Sequence, residues 1–389
     1  MTVRDLRADL ATTPAQVAFR DELRDWLEEN LTDEFMIRGL WDPTGAAGEA
    51  FEARREWQRR LHKGGWSGVH WPAEHGGRGA SLIEYAIWLV TCAEAGAPEP
   101  VGVIGLNMVG PTLIHHGSPS QQRHLAGILS ADEVWCQLFS EPDAGSDLGN
   151  VQARAVPDDA GGWRVRGQKV WTSWGEYADH GLLLARTGGA RFSGLSVFLI
   201  DMQAPGVTTR PLVQMSGEAH FSEVFLDDVP LAAEALVGPL NGGWTVATST
   251  LVHERTTAIL ARHSATAAAA AELLELADRV KAPPDRRQEA VRLWSEAQLL
   301  RLNGHRGVAA ADVAGGEARP VSYTQRLHWG LTHRAILDLG VTLQGPRAVA
   351  GHDTQWSQLA CASRGWTIGG GTSEVQRNML AEKVLGLPR

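Results

Sequence analysis

The chain is 389 residues long, 43% hydrophobic and 21% charged, which predicts a globular protein of roughly two or three domains with real cores. Its net charge of −9, from 36 basic and 45 acidic residues, excludes a broad nucleic-acid-binding face but leaves room for a local basic pocket. Three widely spaced cysteines, Cys92, Cys136 and Cys361, predict neither a disulfide framework nor a CxxC metal site, and suit a reducing cytosol. No apolar run approaches membrane-spanning length and the N-terminus lacks a signal-peptide core, so the expectation is a cytoplasmic protein with no membrane partner and no metal.

From Pro14 to Leu31, Phe19, Leu23, Trp26, Leu27 and Leu31 recur at helical spacing. A second helix is predicted from Ala50 to Leu61. Gly65 to Ser81 then reads as a long loop, whose GGxG run resembles a phosphate-binding turn but follows no strand. Helix resumes over Leu82 to Glu94 and Ser118 to Leu129. Next comes WCQLFSEPDAGSDLG, Trp135 to Gly149. Its Ser140, Glu141, Pro142, Asp143, Gly145, Ser146 and Asp147 are cap and turn formers, and the small Ala144 and Gly145 allow a backbone or flat ligand close by.

Beyond Val151 the pattern alternates. Two strands flank an Asp-Asp-Ala-Gly-Gly turn, and GLLLAR, LSVFLIDM, VTTRPL and EVFLDDV follow as short apolar strands. Helices return after Gly242-Gly243. One long helix or two span Gly243 to Val280, with further helices over Arg287 to Ala311 and Ser322 to Leu343. A last one starts at Ser373, where Ser373 and Gln376 fit a capping box. The fold class is therefore α+β, in three domains: helical over 1–132, β over 133–240 and helical over 241–389.

Four motifs in order carry a family resemblance. They are Ser140 to Asp147 (SEPDAGSD), Gly167 to Ser173 (GQKVWTS), HFSEVFLDDV followed by GGW, and GGTSEVQRN near the C-terminus. The chain resembles the acyl-CoA dehydrogenase family over nearly its whole length, most closely its actinobacterial members, including those acting on steroid side chains. The resemblance implies an N-terminal helical domain, a small barrel- or sandwich-like β domain and a C-terminal four-helix bundle. FAD would lie between the last two. Gln137, Phe139, Ser140, Gly145 and Ser146 would contact the cofactor, Trp171 and Thr172 would pack at the ring, and Ser173 would hydrogen-bond near N5. Without the resemblance, Trp171 reads as a core tryptophan. Gly371, Thr372 and Glu374 match the C-terminal cofactor contacts, where a helix start also suits a phosphate. Ser146 would lie near the pantetheine of an acyl-CoA.

The sequence departs from the family at its base. Many members carry a glutamate just before the Gly-Thr-Ser motif; here Gly370 stands there. A minority places the base on the first long C-terminal helix in a Glu-Arg pair, matched by Glu254 and Arg255. Helical spacing puts Glu254 on one face with Ala247, Leu251, Ala258 and Ala261, where burial would raise its pKa towards one useful for proton abstraction. The implied reaction takes the Cα proton to Glu254 and the Cβ hydride to flavin. The backbone N–H of Gly370 would polarise the thioester, Arg255 would assist substrate binding, and electron transfer flavoprotein would take the electrons. Two residues that serve the cofactor across a subunit interface in the family are altered. Arg279 lacks its following Phe, and Thr342 stands where a Gln is usual. Expected assemblies are therefore a homo- or hetero-oligomer, dimer or tetramer, with a heteromeric subunit holding an incomplete flavin site or a flavin monooxygenase as alternatives.

Overall fold

The computed structural model describes residues 11–36, 49–256, 258–313, 321–350 and 354–388; for 49–50, 252–256, 258, 312–313, 321–323, 349 and 354 it describes the backbone alone. Glu254 and Arg255 are among these, so their side chains lie outside the described residues.

Among the described residues helices come first: α1 (Pro14–Asn30), α2 (Glu49–Lys63), α3 (Leu82–Ala95), α4 (Gly110–His116), α5 (Pro119–Gln122) and α6 (His124–Ser130). Strands β1 (Trp135–Leu138), β2 (Arg154–Pro157), β3 (Trp163–Ser173), β4 (His180–Arg186), β5 (Leu195–Asp201), β6 (Val207–Leu212), β7 (Phe221–Leu231) and β8 (Leu236–Val237) follow. Then come α7 (Gly243–Thr256), α8 (Ala258–Arg279), α9 (Pro284–Val313), α10 (Val321–Gln344), α11 (Pro346–Val349), α12 (Thr354–Trp366) and α13 (Ser373–Met379). The predicted α, β, α order holds. Among the described residues no helix is long and apolar enough to cross a membrane.

Local chemistry sets many ends. Thr13 and Gln16 form a capping box with Pro14 behind it, and Ser81 and Glu84 form another. Gly96, at φ +77°, closes α3 in the left-handed region. Two helical expectations change. The stretch Ser118 to Leu129 breaks at Arg123 into α5 and α6. The last helix is capped by Thr372, whose Oγ1 accepts from Val375 N at 3.2 Å, so the Ser373–Gln376 capping box does not form. Gln376 turns back to Gly370 instead. Residues 105–116 are also helical, although the run VGVIGLNMVGP discourages that reading. Its glycines serve packing: a Cβ on Gly110 would sit 2.0 Å from the Trp71 ring.

The described residues fall into two compact units. One draws on 44–79 and 99–254, the other on 1–43, 80–98 and 255–389. In the first, the strands form one sheet, ordered β6-β7-β3-β2-β4-β5-β8, with β1 parallel to β4. Strand β4 is buried on both faces. Leu183 and Ala185 join Leu138, Val165, Phe198 and Val224, while Leu182 and Leu184 meet Trp71, Leu106, Val109 and Leu113. That explains its unbroken apolar run. In the second unit α8, α9 and α10 pack on one another and α12 packs on α10, the bundle that the family resemblance implies. Its core holds Leu273, Leu293, Ile336, Leu337 and the large rings of Trp329 and Trp356.

Candidate active site

On the sheet side a buried ion pair ties the Ser140–Asp147 turn to β3. Lys169 is fully buried, and its Nζ donates to Glu141 Oε1 at 2.7 Å and to the Phe139 carbonyl at 3.0 Å. The Glu141 carboxylate also accepts the backbone N–H groups of Gln152 and Ala153, at 2.5 and 2.9 Å. Burial pushes the Lys169 ammonium down to about 8, against the opposing pull of Glu141. Reciprocal backbone bonds between Glu141 and Ala144 close the turn, and Val170 N donates to the Ser140 carbonyl at 3.0 Å. Phe139 and Ser140 are thus clamped to the strand that carries Trp171. Period-two spacing from Val165 puts Lys169 on the inner face of β3, the one signal of this pair that the sequence carries.

Beyond Lys169 the ladder slips. Lys169 pairs with Val224 but Thr172 pairs with Ser222, so β3 carries one extra residue. Within this bulge Trp171 adopts φ +59°, costly for a side chain with a Cβ, and projects outward at 59% exposure. Its ring meets Phe221 edge-on at 6.0 Å. The core-tryptophan reading is therefore wrong: the bulge re-aims the indole. Thr172 is buried, and Ser173 ends the strand opposite Phe221. Gln137 Nε2 on β1 and Thr172 Oγ1 are buried with no hydrogen-bond partner among the described residues. An exposed indole on a strained bulge, with unpaired polar atoms on the same two strands, fits a planar heterocycle with its own donors and acceptors. Gly145 and Ser146 sit exposed on the turn, and Asp147 pairs with Arg191 at 3.0 Å.

The other motif residues belong to the helical unit. After α12 the chain turns through Gly369, Gly370 (φ +69°) and Gly371 (φ +103°), the last two in conformations that favour glycine. Arg326, whose guanidinium lies 4.9 Å over Trp329, donates to the Gly369 carbonyl. The buried Gln376 donates through Nε2 to the Gly370 carbonyl at 3.2 Å, and Ser373 N reaches the Thr367 carbonyl at 3.1 Å. Thr372 Oγ1 accepts at the cap, which leaves its O–H to donate elsewhere. Glu374 is exposed and faces Arg377 at 3.4 Å. Arg279 lies exposed at the end of α8. Glu254 and Arg255 stand on the last turn of α7, where Glu254 is the last residue of the sheet-bearing unit and Arg255 begins the final segment of the helical one. The turn at Gly370 offers main chain alone, so any acid–base group must come from elsewhere.

Comparison with known proteins adds three matching family models: acyl-CoA dehydrogenase N-terminal domain over 13–132, middle domain over 136–229 and C-terminal domain over 241–385. Acyl-CoA dehydrogenase IpdE1 of Mycolicibacterium smegmatis is 40% identical, over 95% of this chain and 97% of its own length. IpdE1 of Mycobacterium tuberculosis is also 40% identical, with the same coverage. Among solved structures, the Tcur3481-Tcur3483 steroid ACAD superposes with a TM-score of 0.85 at 28% identity, covering 98% of this chain and all of that one. The ChsE4-ChsE5 complex from Mycobacterium tuberculosis gives 0.82 at 28% identity, with the same coverage.

Proposed function

The chain belongs to the acyl-CoA dehydrogenase family, and on that premise we propose that it binds FAD and desaturates a steroid-derived acyl-CoA between Cα and Cβ, as one subunit of a heteromer. The observation that carries the flavin reading is Trp171, held outward by a strained bulge beside a strand locked through Lys169 and Glu141. Gln137, Phe139, Ser140, Trp171, Thr172 and Ser173 would hold the ring, and Gly371, Thr372 and Glu374 would contact the rest of the cofactor. Bound FAD would supply the acceptor for the hydride leaving Cβ, and an electron transfer flavoprotein would take the electrons.

The chain's own groups supply the rest. Glu254 removes the Cα proton, and the electrons of that C–H bond form the new double bond as Cβ loses its hydride. Charge that develops on the thioester oxygen is met by the backbone N–H of Gly370, a type of donor worth about 10²–10³ in rate. Gly370 carries no carboxylate, which leaves Glu254 as the acid–base group of the resemblance. Arg255 would help hold the substrate, and Ser146, on its exposed turn, would meet the pantetheine. The substrate class and the heteromeric state rest on the solved steroid ACAD and the ChsE4-ChsE5 complex, each named for two components, and on the departures from the family at Arg279 to Ala282 and at Thr342.

The test is anaerobic titration of the assembled, flavin-loaded protein with straight-chain, branched and steroid acyl-CoA thioesters. Bleaching of the flavin by a steroid thioester, with no nicotinamide cofactor present, is expected. No bleaching by any CoA thioester would overturn the reading. Flavin per chain in the protein purified alone tests assembly: full occupancy in a homo-oligomer would remove the heteromer.

A further inference from the structure

Away from the Trp171 wall, three side chains converge from separate segments. His124 is the first residue of α6, Glu133 lies just before β1, and His180 opens β4. A ligand atom of each lies within 4.8 Å of those of the other two. His124 Nδ1 is 2.8 and 3.0 Å from the two Glu133 oxygens. The Trp135 indole packs 5.2 Å from the His124 ring and 4.9 Å from the His180 ring, and its Nε1 donates to Glu133 Oε2 at 3.1 Å. The parallel pairing of Trp135 with His180 fixes that register. Gly127 makes the space: a Cβ there would sit 2.7 Å from Glu133 Cγ.

We propose that His124, Glu133 and His180 bind one divalent transition-metal ion of the zinc class. Two imidazoles and one carboxylate are the donors such an ion takes, with one position left for water, and no thiolate is needed. The Trp135 donor orients a ligating carboxylate from outside the coordination shell, as supporting groups in metal sites do. All three residues are partly buried, the His124 side chain 14% and that of Glu133 27% exposed, so none is sealed from solvent. The ion would pin α6 to the β1–β4 pair. Among the described residues this is the one grouping of three His, Cys, Asp or Glu side chains with that spacing. The inference does not rest on the proposed reaction.

The experiment uses the full chain in its assembled form, stripped with chelator and titrated at neutral pH with Zn²⁺ by calorimetry. A parallel titration with Co²⁺ is read by its visible ligand-field bands. One equivalent per chain, four-coordinate Co²⁺ bands and a higher melting temperature with Zn²⁺ are expected. His124→Gln and His180→Gln should each weaken Zn²⁺ by at least about tenfold, the lower end of what even a supporting group contributes. No Zn²⁺ binding, or binding that both variants leave unchanged, overturns the site. Should the variants fail to fold, the Co²⁺ spectrum of the unaltered protein decides: octahedral bands, or none, overturn it.

Discussion

The sheet wall and the glycine turn achieve rigidity by opposite means. At the wall a buried charge is answered in full: Glu141 takes an ammonium and two backbone N–H groups, and Lys169 also reaches a carbonyl. At the turn, Gly369 and Gly370 are exposed, and main-chain carbonyls are held from outside by Arg326 and Gln376. The wall spends Lys169 and Glu141 on position, and the turn presents backbone. Neither supplies a free base among its described side chains, and the proposed proton acceptor stands on α7.

Breaking the wall should have the largest effect. Lys169→Ala leaves Glu141 as a buried, half-answered charge, a change that costs about 3–5 kcal/mol. Chemical denaturation should show it, and Lys169→Ala with Glu141→Gln should recover part of the loss. The helical unit, by contrast, buries neutral polar groups. His333 Nδ1 lies 2.6 Å from Thr266 Oγ1, and burial pushes its pKa from 6.5 to about 3. A depressed histidine pKa means that the unfolded chain binds the extra proton between those values. Stability is therefore lost as pH falls from about 6.5 towards 3, at about 1.4 kcal/mol per pH unit for each such histidine. His333→Gln should flatten that slope in melting curves taken across the window.

Smaller effects sharpen the contrast. Gly371→Ala forces a side chain into φ +103° and should cost about 1–3 kcal/mol in the same denaturation assay. Its nearest obstacle, Gln376 Nε2 at 2.8 Å from the new Cβ, is the flexible end of a side chain and can give way. Trp171→Gly removes an exposed ring from a left-handed backbone, so the apoprotein should become more stable by up to about 1 kcal/mol. The same variant should lose flavin on gel filtration. An unchanged flavin content would detach the strained bulge from cofactor binding.

Much of the architecture was legible in the sequence, because periodicity changes cleanly at the turn after Trp135 and again after Gly242-Gly243. The helix at 105–116 was not, since glycines placed for contact with Trp71 and Ile128 depress helix propensity. The cap at Thr372 went to Ser373 instead because both are good caps, and only the geometry of Gly371 decides between them. The motif around Trp171 could be matched to a family, yet its outward aim depends on a one-residue slip against β7 that no local pattern reveals. Lys169 with Glu141, and His124 with Glu133 and His180, are long-range meetings of polar residues. Their separate spacings carry no sign of partnership.

The central claim is that Glu254 takes the Cα proton. Stopped-flow measurement of flavin bleaching by a steroid acyl-CoA, with Glu254→Gln in the assembled protein, tests it most directly. Bleaching should slow by about 10²–10⁴ while flavin content stays unchanged. Bleaching at the unaltered rate would contradict it.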